Sequence, residues 1–331
     1  MARGKRYETE GKLNYQKVFA VIIAIAVVIM FIFIIRNVLK ERKEIKKEYE
    51  YFALYAQNKW GVINQEGEEV IQPSYQEMIV IPDKTKEVFI CTYNVNEENG
   101  TYQTKAVNSN NEEILTGYDQ IEALDNMDKN GNVWYEENVL RVKKNGKYGL
   151  IDLLGKEILP VEYDEITVLD GTENSILIKK ADKIGLVNDT GSIIIECNYK
   201  EIKKLGDTYK DGYITIDEQG KYGVISATKK QILDNKYDEI SQVALKEYYQ
   251  VKEDGKVKLI NSKGETVIEN GFDQIKSVTT NGIIFEKNNL FGEMNTSGEI
   301  VLEAGYQDLK EANNGIYIAK QNDKYGIIDN V

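Results

Sequence analysis

From residue 51 onwards, the apolar residues of this chain fall into short runs separated by turn signals. Val62 and Ile63, for example, are followed at once by Asn64 and, three residues later, by Gly67. Short β-branched runs bounded by such residues indicate strands. Asn followed by Gly at this spacing suits a type I turn that ends in a left-handed residue. The pattern therefore predicts short strands joined by tight turns.

These strands and turns form a tandem repeat. A unit of about 35 residues recurs about seven and a half times along residues 51–331, which is the signature of a repeat architecture. The repeat anchors are Trp60, Gly61, Tyr148, Gly149, Gly185, Tyr222, Gly223, Phe291, Gly292, Tyr325 and Gly326. Because one repeat cannot bury its own apolar face, we interpret them as packing residues between neighbours. The fifth unit has Lys229 where the turn glycine is expected, so a different turn is predicted there.

Each unit holds three or four predicted strands, which makes residues 51–331 an all-β tandem-repeat array. A propeller-like ring of such units is the favoured arrangement. An open β-solenoid is the alternative, because a half unit at the end of the array is tolerated when the array does not close.

The N-terminal region differs from the array. Residues 18–35 form an uncharged apolar run of 18 residues, about 27 Å long as a helix, which is enough to cross the hydrocarbon core. We predict one transmembrane helix there, uncleaved, after a basic tail at 1–17. Residues 36–50 mix both charges with good helix formers and are predicted to extend the helix as a stalk. Basic residues flank the span almost equally, and a short-tailed signal anchor favours an extracytoplasmic C-terminal domain.

Charge and composition exclude several classes of function for this chain. Residues 1–50 carry 11 basic and 6 acidic residues, and the rest of the chain carries the remaining 31 basic and 48 acidic ones, a net charge of −17. A body this acidic is repelled by a phosphate backbone, so we expect no nucleic-acid partner. The chain has no histidine and two cysteines, Cys91 and Cys197. The usual zinc, haem and nucleophile–histidine sites cannot be assembled from these residues, so we predict no metal, no cofactor and no enzymatic activity.

The units resemble WG repeats, named for a Trp-Gly pair that occurs here as Trp60-Gly61. The run from Lys147 to Tyr163 shows the pattern most fully. The resemblance covers roughly residues 51–331. It implies a bacterial repeat array that mediates binding at the cell envelope, and it brings no catalytic residues.

We therefore expect a single-pass, membrane-anchored binding or scaffold protein that presents its array to a protein or an envelope polymer. The alternative is a cell-wall glycan-binding module, which needs exposed aromatics beyond the packing set. Four such aromatics lie in or near the insertions of the first two units: Tyr93, Tyr102, Trp134 and Tyr135.

Overall fold

The computed structural model describes Met30 and residues 50–243, 248–269, 272–278, 282–313 and 315–329. The chain divides into two units, Met1–Glu50 and Tyr51–Val331. The predicted tail (1–17), membrane helix (18–35) and stalk (36–50) lie outside the described residues, apart from Met30 and Glu50. Among the described residues, no helix has the length and apolar character needed to cross a membrane.

The second unit consists of small antiparallel sheets, as predicted for an all-β repeat array. The described residues form eight sheets, which we number in chain order. Sheet 1 contains β1 (Tyr51–Ala56), β2 (Lys59–Asn64) and β3 (Glu69–Tyr75); sheet 2 contains β4 (Phe89–Asn96), β5 (Thr101–Val107) and β6 (Glu113–Ile114); sheet 3 contains β7 (Gln120–Met127), β8 (Val133–Lys144), β9 (Lys147–Ile151) and β10 (Glu157–Tyr163); sheet 4 contains β11 (Glu165–Val168), β12 (Ile176–Lys180), β13 (Lys183–Val187) and β14 (Ile193–Tyr199).

The second half of the array continues in the same way. Sheet 5 contains β15 (Glu201–Lys204), β16 (Tyr213–Ile216), β17 (Tyr222–Ile225) and β18 (Gln231–Tyr237); sheet 6 contains β19 (Glu239–Gln242), β20 (Tyr248–Glu253), β21 (Lys256–Asn261) and β22 (Thr266–Ile268); sheet 7 contains β23 (Gln274–Val278), β24 (Ile283–Lys287), β25 (Leu290–Met294) and β26 (Ile300–Tyr306); sheet 8 contains β27 (Asp308–Asn313), β28 (Ile316–Gln321) and β29 (Lys324–Asp329). A short 3-10 turn, Tyr209–Asp211, precedes β16. Strands lie in chain order within every sheet.

The hydrophobic core is divided among the interfaces between consecutive sheets. Val62 of sheet 1 packs in one cluster with Phe89 of sheet 2, and Ile284 of sheet 7 packs with Leu309 and Tyr317 of sheet 8. Five further clusters join the intervening pairs in the same way. Each sheet thus buries its apolar faces on its neighbours in the chain, as the repeat pattern predicts. The choice between a ring and an open array stays a prediction.

The Asn-to-Gly turns of the repeat have the predicted geometry. The backbone N–H of Gly67 donates to the carbonyl oxygen of Asn64, and the Asn64 side-chain oxygen accepts from the N–H groups of Glu66 and Glu68. The prediction that Lys229 requires a different turn is wrong. Its N–H donates to the carbonyl oxygen of Ser226, and its φ of 68° is left-handed like that of the glycines. A lysine in the left-handed region raises the local free energy, and this is offset because the strands on both sides fix the conformation of the turn.

Candidate functional site

The anchor glycines lie where another strand passes very close. In sheet 1, Trp60 pairs with Tyr75 and Val62 pairs with Ile71. An advance of two residues on β2 therefore corresponds to four residues on β3, which bulges opposite Gly61. A Cβ on Gly61 would lie 2.4 Å from the carbonyl oxygen of Ile71, which no side chain tolerates. The same crowding by the next strand along the chain occurs at Gly149, Gly185, Gly223 and Gly292. These residues have a structural role, and a ligand is not needed to explain them.

The aromatic anchors pack between sheets, with one exception. Trp60, Tyr148, Tyr222 and Phe291 are partly buried against the clusters between consecutive sheets. Tyr325, however, is 66% exposed, and a Cβ on Gly326 would meet nothing within 4 Å. The interpretation of Tyr325 and Gly326 as packing anchors is therefore wrong for the described residues. The physical reason is that β29 is the edge strand of sheet 8 in the part of the chain that the structure describes, where no further strand pairs with it beside Gly326.

The aspartate that follows the second aromatic of many units caps a hairpin turn. Asp164 accepts a hydrogen bond from the backbone N–H of Ala181 at 2.8 Å, and it also pairs with the ammonium of Lys147. The Lys147 ammonium lowers the pKa of the Asp164 carboxyl. Asp119 and Asp273 accept from hairpin N–H groups in the same way. Among the described residues, no group of three or more His, Cys, Asp and Glu side chains is placed to hold a metal ion.

A cleft of about 500 Å³ lies between the two long hairpins β4–β5 and β7–β8, and we call it the ribbon cleft. These hairpins carry the insertions of the first two units. Its lining includes the buried residues Ile90 and Thr104, the exposed residues Met78 and Val95, the carboxylates Glu77, Glu97, Glu122 and Asp125, the tyrosines Tyr102 and Tyr135, and Arg141. Concave sites of this size that combine apolar walls with a few polar groups are typical of ligand binding.

An ion pair fixes one wall of the ribbon cleft. Glu122 and Arg141 face each other across β7 and β8, and the Arg141 Nη2 and Nε atoms donate to Glu122 Oε2 at 2.6 and 3.1 Å. Arg141 Nη1 also donates to the carbonyl oxygen of Ile166 in sheet 4 at 2.7 Å. The Tyr102 hydroxyl donates to Glu122 Oε1 at 2.8 Å, which joins sheet 2 to sheet 3. This hydrogen bond to Glu122 raises the pKa of Tyr102.

Tyr135 lies on β8 near the turn of the β7–β8 hairpin. It lies opposite Asp125 in the strand register and is half-buried. Burial, and to a smaller extent the charge of Asp125, raises the pKa of the Tyr135 hydroxyl. The hydroxyl therefore stays protonated at neutral pH and can act as a hydrogen-bond donor.

Two of the four predicted ligand-facing aromatics are thus brought together, and two are not. Tyr93 does not line the cleft, and its ring lies 5.5 Å from the Lys105 ammonium. Trp134 lines a separate hollow of about 300 Å³ with Glu173 and Asp207. A continuous row of these four rings is not formed.

A buried polar cluster ties the β7–β8 hairpin to sheet 4. Asn126 donates to the carbonyl oxygen of Thr172 at 3.1 Å and accepts from the N–H of Gly171 at 2.8 Å. Glu136, 5% exposed, accepts from the N–H of Asn174 at 3.2 Å. Burial raises the pKa of the Glu136 carboxyl. This cluster holds one wall of the ribbon cleft in position.

Sequence reasoning missed the charged residues of the cleft. One signal was present, since Arg141 is the single arginine among residues 51–331, where every other basic residue is lysine. Arginine is the side chain suited to bidentate pairing with a carboxylate. The pairing of Arg141 with Glu122 needed the register of the hairpin, which the irregular insertions obscure.

Comparisons with known proteins agree with the repeat architecture. The chain is a tandem array of small antiparallel sheets, and the family model described as WG containing repeat matches residues 60–80, 148–183, 184–222 and 291–325. These four matches support a WG-repeat protein. No curated protein matches the chain.

Several solved structures are similar at a low level. A eukaryotic initiation factor is 11% identical over 82% of this chain and 78% of its own, with a TM-score of 0.34. The WD40 β-propeller domain of Doa1 is 11% identical over 84% and 90%, with a TM-score of 0.24. Hsv2p of Kluyveromyces lactis is 9% identical over 74% and 89%, with a TM-score of 0.27. TM-scores this low carry no argument about this chain.

Proposed function

We propose that this chain is a bacterial, single-pass, membrane-anchored binding or scaffold protein. Residues 18–35 anchor it, and the array at 51–331 faces the outside of the cell membrane and binds a protein or an envelope polymer. The ribbon cleft carries the proposal. It lies between the two hairpins that the longest insertions form, and insertions in a repeat array are often gathered on the binding face.

The cleft geometry favours binding over catalysis. Both oxygens of Glu122 are engaged, one by Tyr102 and the other by Arg141. Proton transfer needs an acid or base that can reach the substrate, and an engaged carboxylate is poorly suited to that role. Together with the absence of histidine from the sequence, this arrangement of Glu122 leads us to propose a protein without enzymatic activity and without a cofactor.

A cell-wall glycan-binding module remains the second candidate. The observation that favours it is that Tyr102 and Tyr135 line the same cleft, where their rings offer apolar faces and their hydroxyls offer hydrogen bonds.

Site-specific photo-crosslinking in living cells tests the binding function. The full chain would carry a photo-reactive amino acid in place of Val95, which is 37% exposed in the cleft, or in place of Ile300, which is 46% exposed in sheet 7. We expect a discrete adduct from position 95 that position 300 does not give. Identical adduct patterns, or none from position 95, would contradict the proposal. An adduct that shrinks on digestion with a muramidase would favour the glycan candidate.

Cysteine labelling tests the membrane orientation. Leu154 is 89% exposed at the turn between β9 and β10, so a Leu154→Cys variant should react with a membrane-impermeant maleimide in intact cells. The parent chain is the matched control, because Cys91 is buried and Cys197 is half-buried. Labelling that appears only after cell lysis would place the array in the cytoplasm.

A further inference from the structure

The ribbon cleft carries an excess of negative charge. Its lining holds four carboxylates and one guanidinium, that of Arg141. Arg141 donates to Glu122 and to the carbonyl oxygen of Ile166, so Glu122 compensates its charge and three of its five N–H donors are engaged within the protein. An anionic ligand therefore gains little from Arg141. It would also be repelled by the carboxylates that Arg141 leaves uncompensated.

Three carboxylates remain after the Glu122–Arg141 pair is set aside. Glu77 and Glu97 line the cleft and are exposed, and Asp125 is exposed opposite Tyr135. A cleft lined by one sign of charge between low-dielectric walls concentrates the field and raises the local concentration of the opposite charge. The charge of this surface is thus complementary to a cation.

The uncharged lining suits a cation that carries an apolar stem. Met78 is 44% exposed and Val95 is 37% exposed, so both present apolar surface to solvent in the cleft. Lysine and arginine side chains bury their methylene groups on such surfaces while their charged ends reach polar groups. The rings of Tyr102 and Tyr135 can add cation–π contacts.

The placement of the other aromatics argues against a long glycan. A glycan chain would gain most from successive rings, but Tyr93 lies by the Lys105 ammonium and Trp134 lies in a separate hollow. A short segment with charged side chains needs only the groups that the cleft already gathers.

We propose that the ribbon cleft binds a basic peptide segment of a partner protein, whose lysine or arginine side chains pair with Glu77, Glu97 and Asp125 between Tyr102 and Tyr135. This inference rests on the proposed binding function and names the chemistry of the partner. The basic side chains give affinity through charge pairs with the three carboxylates, and their stems pack on the apolar wall of the cleft.

The test is a titration of the purified full chain in neutral detergent with fluorescein-labelled hexalysine, read by fluorescence anisotropy. The test variant combines Glu77→Gln, Glu97→Gln and Asp125→Asn. The matched control combines Glu157→Gln, Glu303→Gln and Asp234→Asn, which changes the net charge equally at exposed positions outside the cleft. We expect the cleft variant to weaken binding about tenfold and the control about twofold or less, since distant surface charges are screened.

Three results would overturn the inference. They are equal weakening by both variants, no hexalysine binding by the parent chain, and binding of neutral chitohexaose in the cleft in place of hexalysine. Unchanged circular dichroism of both variants shows that folding is retained. The outcome is separable from that of the proposed function: an adduct at position 95 without hexalysine binding removes only this inference, whereas hexalysine binding without any adduct in cells removes the binding function.

Discussion

Alanine substitution at Gly61, compared with the same change at Gly326, gives the sharpest test of the repeat packing. In a Gly61→Ala variant the new Cβ would lie 2.4 Å from Ile71 O, 2.8 Å from Pro73 N and 3.1 Å from the carbonyl carbon of Gln72. All three neighbours are backbone atoms of β3, so no side chain can rotate away and the strand itself must move. Overpacking of this kind costs about 1–3 kcal/mol.

The Gly326→Ala variant is the matched control. It makes the same chemical change at the same repeat position, but a Cβ there would meet nothing within 4 Å. Because alanine loses less backbone entropy than glycine in a strand, this variant should be neutral or more stable by about 0.5–1 kcal/mol.

Urea unfolding followed by tryptophan fluorescence measures the difference. A Trp134→Phe background leaves Trp60, which neighbours Gly61, as the single tryptophan and thus as a local probe. A local probe is needed because repeat arrays do not always unfold as one unit. Gly326 lies in the last sheet, far along the chain from Trp60, so the Gly326→Ala variant is also followed by far-ultraviolet circular dichroism, which reports on all the sheets. We expect the Gly61→Ala midpoint to fall by roughly 1 M urea, at a slope of about 1–3 kcal/mol per M. An unchanged midpoint for Gly61→Ala, or an equal loss in Gly326→Ala, would refute the assignment of the anchor glycines to strand crossing.

Two further predictions concern the walls of the cleft. Burial holds the pKa of Glu136 above its unfolded value. The parent chain and a Glu136→Gln variant should therefore be equally stable below the unfolded pKa, and the variant should become the more stable one as the pH rises through the folded pKa. Melting temperatures at pH 4 and pH 7 check this, and a pH-independent difference would contradict it. An Arg141→Lys variant keeps the charge, but lysine cannot donate twice to Glu122 while also bonding the Ile166 carbonyl. The free energy of unfolding should therefore fall by about 1–2 kcal/mol. An unchanged urea midpoint would show that the positive charge alone accounts for the stabilising effect of Arg141.

Local patterns in the sequence were reliable where the backbone chemistry is local. The Asn64 turn was predicted because an Asn side chain and a glycine stabilise such a turn by themselves. The same reasoning failed at Lys229, because the strands on either side impose the left-handed conformation on a residue that does not favour it. It also failed at Tyr325, whose burial depends on a neighbouring strand that the local pattern does not report.

The candidate site was only half predicted. The search for aromatics in the insertions found Tyr102 and Tyr135, but it also selected Tyr93 and Trp134, which lie elsewhere. Strand alternation sends successive side chains to opposite faces, so adjacent residues such as Trp134 and Tyr135 diverge. The irregular insertions hide which face each residue takes.

The sequence by itself determined the units of this protein: short strands, Asx-Gly turns, hairpins and the order in which they follow one another. Those features depend on side chains within a few residues of each other. Only the tertiary structure decided that the two inserted hairpins stand side by side, that Arg141 pairs with Glu122 and bonds the Ile166 carbonyl, and that the cleft between them keeps a negative charge. These properties depend on the register and on sheet packing, which bring together residues far apart in the chain.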